Sequence, residues 1–185
     1  DTIKRLPLVT TFTAKKTLFN HHVELQGNVT TKKNILLSVK TADCLPILIY
    51  WENGLGSNSS GVAAIHSGRA GTEKKILTKV LLHLKNKYQV GKTEGDKLTV
   101  WLGPAICKNC YQIDRKTNLH YDLYQKNIDQ IRQVFPKFKS LDHDGNTNIR
   151  VIRSKHCTLH NNDLFYSYRK TGKGVKMNYS LIGLN

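Results

Sequence analysis

The sequence predicts an α/β or α+β fold in which helices pack on a mixed β-sheet. Strand-length apolar segments alternate with two helical patterns in the middle of the chain, and strand segments return at its end. A chain of 185 residues without repeats or low-complexity linkers can bury one core, so we expect a single domain over residues 1–185. The central predicted strands cover residues 34–39, 44–51, 61–66, 97–102 and 148–152.

The outer parts of the sheet are less regular. Residues 1–20 are polar and poorly periodic, and we expect an arm or an edge strand there. Pro46 has no backbone N–H to donate, which places residues 44–51 at a sheet edge or at a bulge. Residues 164–168 and 177–184 are predicted to pair as an antiparallel hairpin across a glycine-rich turn.

Two helices are predicted from apolar residues at helical spacing. The first carries lysines on its polar face, begins after an N-cap at Thr72 and ends at Gly91. The second covers residues 120–135 and ends before Pro136.

The chain is strongly basic, because 29 Lys and Arg against 13 Asp and Glu give a net charge of +16. One interpretation is nucleic-acid binding, and the other is that lysine covers solvated faces. The basic residues form short pairs such as Lys32-Lys33 rather than one dense block, which favours a solvated surface. In either case the charge attracts phosphate-bearing ligands to a cleft.

We expect neither membrane insertion nor secretion. No run of about 18 apolar residues is present, and the chain, which begins at Asp1, shows no charged-then-apolar leader. The four cysteines, at positions 44, 107, 110 and 157, would form disulfides in a secreted protein. The missing leader favours free thiols and a cytoplasmic location.

Reactive residues stand at the ends of predicted strands, where α/β sheets commonly bind ligands. Cys44, preceded by Asp43, is either an inert buried thiol or a nucleophile. His66 is either a core histidine or a ligand or base. Arg69 follows in a glycine-containing stretch before a helix, where a guanidinium and backbone N–H groups bind phosphate.

Most of the metal-type donors lie further along the chain. Cys107 and Cys110 form a Cys-x2-Cys pair, and His120 and Asp122 follow. A zinc ribbon needs a second Cys-x2-Cys pair, and none is present. One cysteine with two distant histidines instead matches a three-ligand site with an open position, in which Asp122 orients a ligand.

Several segments stand in an order that matches a known family. They are Thr-Ala-Asp-Cys-Leu-Pro-Ile-Leu at 41–48, Ala-Ala-Ile-His-Ser-Gly at 63–68, Trp-Leu-Gly-Pro-Ala-Ile at 101–106, Cys-Tyr at 110–111, His-Tyr-Asp-Leu at 120–123, Cys-Thr at 157–158 and Phe-Tyr-Ser-Tyr-Arg at 165–169. Together they resemble the YfiH/YlmD-type family, called laccase-domain or multicopper polyphenol oxidase proteins and later zinc-dependent purine nucleoside phosphorylases with adenosine deaminase activity. The resemblance spans roughly residues 27–184 and leaves residues 1–26 poorly matched.

The resemblance implies a fold and a metal site. The fold is a CNF/YfiH-like mixed α/β sandwich related to cysteine hydrolases, in which Cys44 and His66 take the Cys–His positions. The implied metal is zinc, with copper as the alternative. Carried over by motif, its ligands are His66, Cys110 and His120.

Two departures from the family pattern concern this site. Asn109 stands where the family has a cysteine two residues before the aromatic residue, so the thiolate comes from Cys110 or Cys107, and we prefer Cys110. The family's His-Ala-Gly-Trp-Arg-Gly reads His-Ser-Gly-Arg-Ala-Gly at 66–71, which places Arg69 one position early. The alternative that these departures weaken or alter the enzyme is therefore kept.

The activity implied is phosphorolysis and deamination of purine nucleosides, with a nucleoside and phosphate as partners. Arg69 would hold phosphate, and Asp43 or Cys44 would assist proton transfer. One alternative is a copper polyphenol oxidase, which needs more paired histidines than the eight present allow. Others are a peptidoglycan-editing hydrolase that uses Cys44 and His66, and a basic nucleic-acid-binding module, for which no finger or RNA-binding signature is present. The sequence does not indicate an oligomeric state.

Overall fold

The computed structural model describes residues 10–18, 21–54, 60–93, 95–136 and 148–185, with side chains from residue 27 onward. Strands and helices alternate along these residues as the sequence predicts. The strands are β1 Thr10–Leu18, β2 His21–Thr30, β3 Leu36–Thr41, β4 Leu45–Glu52, β5 Ser60–Ser67, β6 Lys97–Leu102, β7 Gln112–Asp114, β8 Leu119–His120, β9 Ile149–Arg153 and β10 Asn178–Gly183. The helices are α1 Arg69–Glu73, α2 Ile76–Lys87, α3 Leu123–Val134 and α4 Tyr168–Thr171, and Lys108–Cys110 forms one turn of 3-10 helix.

A six-stranded mixed sheet forms the centre, in the order β1-β2-β5-β4-β6-β9. Its neighbours pair antiparallel, except that β6 and β9 run parallel. Strand β10 pairs with β3 in a separate two-stranded sheet, and β7 pairs with β8 in another. The predicted mixed sheet is therefore confirmed, and so is an edge strand within residues 1–20, because β1 lies at the sheet edge.

The central sheet is covered on both faces. Helices α2 and α3 pack on one face, where Ile47 of β4 and Leu81 of α2 are fully buried in the main core. The β3–β10 pair covers the other face through a smaller cluster that includes Val39 and Val62. Because both faces of β4 are covered, its apolar residues are nearly continuous rather than alternating. Each such buried side chain contributes about 1.5–3 kcal/mol to stability.

Helices α1, α2 and α3 are joined by buried polar side chains. The amide of Asn127 in α3 donates to the Leu123 carbonyl and to the Thr72 hydroxyl, and its oxygen accepts from Ser67 at the end of β5. Thr72 was expected to cap the long helix, which is wrong: Thr72 lies inside α1 and donates to the Gly68 carbonyl. Helix α2 instead begins after Lys75, whose φ of 56° separates it from α1.

Two expectations about strands were also wrong. Strand β4 is central rather than an edge strand. Pro46 is tolerated there because it lies near the strand start, where the missing N–H costs little. The Pro46 carbonyl accepts a hydrogen bond from the Gly103 N–H. Residues 164–168 do not pair with β10 as a strand. The side chain of Asn178 joins the two segments, since it accepts from the Tyr166 N–H and donates to the Tyr166 carbonyl.

The second helix starts later than predicted. His120 lies in β8, and α3 begins at Leu123 behind the N-cap Asp122, whose carboxylate accepts from the Gln125 N–H. Asp122 is thus committed to the helix end. Among the described residues, no helix is long and apolar enough to cross a membrane. The single domain over residues 1–185 stays a prediction.

Candidate functional site

Three strand termini meet at one end of the sandwich. The register pairs Leu45 with Ser67 and Asn178 with Thr41, so the start of β4, the end of β5 and the start of β10 are neighbours. The side chains there enclose a cavity of about 540 Å³, a volume typical of small-molecule sites. It is lined by Lys40, Ala42, Asp43, Cys44, His66, Tyr111, Tyr168, Arg169, Val175 and Met177.

The side chains of Cys44 and His66 both lie close to the backbone of Gly68. A Cβ added at Gly68 would lie 2.7 Å from the Cys44 Sγ and 3.8 Å from the His66 Nε2. Burial, and then the charge of Asp43, raises the pKa of the Cys44 thiol to about 11. Burial lowers the pKa of His66 below its usual value, so both groups are uncharged near neutral pH.

Asp43 organises the wall of this cavity. It has a left-handed φ of 84° and is 8% exposed. Its Oδ1 accepts a hydrogen bond of 2.7 Å from the Thr158 hydroxyl, and its Oδ2 accepts one of 2.6 Å from the Arg169 N–H. Because both carboxylate oxygens already have donors, Asp43 fixes the position of Arg169 in this structure.

Arg169 places a guanidinium at the mouth of the cavity. Its Nη2 donates to the Gln112 carbonyl at 3.0 Å, and its Cζ lies 5.6 Å from the centre of the Tyr111 ring. Arg69 is exposed, with its Nε 3.8 Å from a carboxylate oxygen of Glu73. Burial raises the pKa of Tyr111, and the charges of Arg69 and Arg169 oppose that rise, so both cations act near this ring.

Four metal-type donors converge beside the cavity. The Sγ atoms of Cys107, Cys110 and Cys157 and a ring nitrogen of His160 all lie within 4.8 Å of one another. Cys107–Cys110 spans the 3-10 turn, and an isolated bridge between Ala105 and Cys157 brings the second segment alongside. All four cysteines are free thiols. Such a Cys3His set can hold a metal ion.

The thiols of this cluster influence one another. Burial, followed by the neighbouring Cys107 and Cys157, raises the pKa of Cys110 to about 12. Burial also acts to raise the pKa of Cys157, but hydrogen bonds from backbone N–H groups, including that of Cys107 at 3.3 Å, lower it overall. The thiol of Cys157 is therefore more acidic than that of Cys110.

The three ligands that the resemblance implies do not form one cluster. Cys110 belongs to the four-donor set, and His66 lies beside Cys44. His120 lines a separate cleft, with Nδ1 3.0 Å from the Lys108 carbonyl oxygen and Nε2 3.2 Å from the Asn118 Oδ1. These side chains as they stand do not fit a single zinc ion, so the ligand set stays a prediction.

Several site residues were not singled out from the sequence. Tyr111 and Arg169 lie within segments that the resemblance covers, but their position in the cavity lining is seen only in the structure. His160 was not predicted, because a zinc ribbon was considered only with a second Cys-x2-Cys pair, which contains no histidine. The spacing Cys157-x2-His160 is a signal that could have completed the set.

Comparisons with known proteins agree with this fold. The family described as multi-copper polyphenol oxidoreductase laccase matches residues 8–185, and the match thus begins well before residue 27. The chain is 27% identical over 175 residues to a purine nucleoside phosphorylase of Clostridium acetobutylicum, covering 85% of this chain and 67% of that protein. It is 25% identical over 156 residues to the adenosine deaminase RL5 of an unknown prokaryotic organism, covering 78% and 56% respectively.

The fold is also that of a solved structure. The crystal structure of YlmD from Geobacillus stearothermophilus superposes with a TM-score of 0.64 at 23% identity, covering 87% of this chain and 61% of that one. The predicted YfiH/YlmD-type resemblance and the mixed α/β fold are confirmed. The chain spans between about half and two thirds of the length of the proteins described here.

Proposed function

Since the chain belongs to the multi-copper polyphenol oxidoreductase laccase family, we propose that it carries the site of a zinc-dependent purine nucleoside phosphorylase that also deaminates adenosine. Relatives with these two activities in their names support the reaction class. The cavity between β4, β5 and β10 is the observation that carries the assignment, because it combines aromatic walls with cations. The activity of the whole protein is part of this proposal, since the chain matches only part of the length of these relatives.

The cavity suits a nucleoside better than a phenol or a peptide. Tyr111 and Tyr168 line the cavity with aromatic side chains that suit a planar base, and Met177 adds apolar surface. Lys40 and Arg169 supply the positive charge that phosphate requires. A volume of about 540 Å³ accommodates a ligand of nucleoside size.

In phosphorolysis, a phosphate oxygen bonds to the ribose C1′ as the C1′–N9 bond breaks, and the purine leaves with that electron pair and takes up the proton that the phosphate loses. Arg169 holds the phosphate, with Arg69 adding charge at the rim, and Asp43 keeps the Arg169 backbone in place. The neutral imidazole of His66 orients the ribose or takes a proton in the interior. Cys44, as a thiol, packs against Gly68 and assists only as a hydrogen-bond donor.

The hydrolase alternative fits this site less well. A cysteine nucleophile reacts as its thiolate, which a nearby cation or imidazolium stabilises. Here the pKa of Cys44 is raised to about 11, and His66 is held neutral. A peptidoglycan-editing Cys–His reaction would therefore begin with both groups in the wrong charge state.

We take zinc as the metal, with copper as the alternative that the family description suggests. Free thiols on all four cysteines suit a reducing compartment, so we place the protein in the cytoplasm. The partners are a purine nucleoside and phosphate, without nucleic acid.

The direct test is chromatography of adenosine incubated with zinc-loaded protein, with and without phosphate. We expect adenine that depends on phosphate, and inosine in both reactions. Chelated protein reloaded with copper and offered a phenol tests the alternative. Phenol oxidation without nucleoside conversion would replace the proposed reaction by the oxidase one.

Arg169→Gln is the sharpest variant. Losing the guanidinium should raise KM for phosphate at least tenfold while deamination, which needs no phosphate, changes less. Lys170→Gln removes an equal charge from the next residue of α4, outside the cavity lining, and is the matched control. Equal effects of the two changes would show that Arg169 does not bind phosphate.

A further inference from the structure

The four donors beside the cavity form two matching half-sites. Cys107-x2-Cys110 lies on the 3-10 turn after β6, and Cys157-x2-His160 lies on the turn after β9. Strands β6 and β9 run parallel and adjacent, so both turns leave the sheet at the same end. The fold thus assembles a Cys3His set from two segments 50 residues apart in sequence.

The spacing of these donors fits one mononuclear ion. With metal–sulfur bonds of about 2.3 Å, neighbouring donors of a tetrahedral zinc site stand about 3.5–3.8 Å apart. The four donor atoms lie within 4.8 Å of one another, and the Cys110 Sγ is 3.1 Å from the His160 Nε2. Small rotations of the side chains therefore bring all four into a first coordination sphere.

Backbone hydrogen bonds also suit thiolate ligands at this place. The Cys107 N–H donates to the Cys157 Sγ at 3.3 Å, and the Cys110 N–H donates to the Cys107 carbonyl at 3.1 Å. The first of these bonds fixes the orientation of the Cys157 sulfur from outside the coordination sphere, and the second holds the turn that carries Cys107 and Cys110. Cys157 is buried and the two other cysteines are partly buried, which restricts solvent at the site.

We infer that Cys107, Cys110, Cys157 and His160 bind a structural zinc ion that is separate from the nucleoside site. Four protein ligands leave no open coordination position, which is the pattern of structural rather than catalytic zinc. The cluster uses Cys110 without His66 or His120. This zinc goes beyond the proposed function, because it would be present whichever reaction the cavity catalyses.

The ion would stabilise the wall of the cavity. Tyr111 directly follows Cys110, and Thr158 directly follows Cys157 and donates to Asp43. The zinc would therefore join the segment that carries Tyr111 to the segment whose Thr158 holds the Asp43 carboxylate. Its removal should loosen both segments and lower Tm.

X-ray absorption spectroscopy of protein loaded with one zinc ion per chain tests the ligand set without any variant. We expect three sulfur ligands and one nitrogen ligand at the zinc. One sulfur with nitrogen and oxygen ligands would place the zinc at His66, Cys110 and His120 and overturn the inference. A disulfide among the cluster cysteines in protein purified under reducing conditions would overturn it as well.

Variants then separate the two sites by zinc content. We expect His160→Ala to lose one zinc per chain and His160→Cys, which keeps four ligands, to retain it. His156→Ala changes an exposed histidine four residues away, outside the cluster, and is the control that should retain zinc. Zinc retained by His160→Ala, but lost from the folded double variant of His66 and His120 to alanine, would refute the structural site. The outcome is independent of adenosine turnover, so it is distinct from failure of the nucleoside assay.

Discussion

Replacing Gly68 with alanine tests whether the Cys44 thiol lies against the backbone beside His66. A Cβ at this position would lie 2.7 Å from the Cys44 Sγ, about 1 Å inside ordinary contact. Gly68 has φ −81° and ψ −179°, which any residue adopts, so the cost is steric alone. Overpacking a buried site costs about 1–3 kcal/mol, and each kcal/mol lowers Tm by about 2–4 °C in a chain of this size. We expect Tm to fall by about 2–12 °C.

A double-mutant cycle identifies the clash. Cys44→Ala removes the Sγ, and the remaining Cβ lies 3.6 Å from the new methyl group, an ordinary contact. Adding Gly68→Ala to Cys44→Ala should therefore cost much less than adding it to the wild-type chain. Thermal and urea unfolding of the four proteins measure the coupling. An equal cost in both backgrounds, or no cost in either, would refute the placement of the thiol.

Three further predictions follow from the charges and hydrogen bonds. Alkylation of Cys44, followed by peptide mass spectrometry, should accelerate about tenfold per pH unit from pH 7 to 10, because its pKa is about 11; a plateau below pH 9 would contradict this. The unfolded chain releases that thiol proton first, so the same shift destabilises the fold as the pH rises from about 9 towards 11. Burial alone would raise the pKa of Asp96, but three backbone N–H groups and a hydroxyl lower it to about 2. Asp96→Asn should cost about 1–3 kcal/mol at pH 7, a stabilisation that the wild type loses as the pH falls from about 4 to 2; Asp129→Asn, on an exposed side chain, should change stability by less than about 0.5 kcal/mol. Asn127→Ala leaves Ser67 and Thr72 without their buried partner and should cost about 1–3 kcal/mol in urea unfolding, whereas an equal loss in exposed Lys126→Ala would show that the network is not the cause.

The sequence predicts the central strands and both long helices because periodicity reports local burial. Helix α2 buries one face on the sheet, and β4 is apolar on both faces because both are covered. The errors arose where tertiary contacts decide. Pro46 is tolerated in a central strand because it lies near the strand start, and β10 pairs with β3, a partner 137 residues from Asn178 in sequence.

The candidate site shows the same division. Cys44 and His66 could be grouped from the sequence because both stand at strand ends, which the fold brings to one edge. The sequence favours Cys110 but keeps Cys107 as the alternative, since the surroundings of both depend on the bridge that places Cys157 beside Ala105. In the structure the thiols of Cys107 and Cys110 both lie close to Cys157, so the preference for Cys110 stays a prediction.

The departure at Asn109 now has a physical account within the proposed sites. The family's cysteine at this position would lie in the middle of the 3-10 turn, where Asn109 is exposed and lines the cleft that His120 also lines. The thiols on either side, Cys107 and Cys110, instead point to Cys157. On the two proposals, shifting the thiols by one or two positions would move them from the open site that the resemblance implies to a closed one. The cavity would then keep His66, Arg169 and the tyrosines for the proposed nucleoside and phosphate, without a thiolate ligand. Phosphorolysis, which relies on positioning and charge, should accordingly survive this change better than deamination, which relies on activated water.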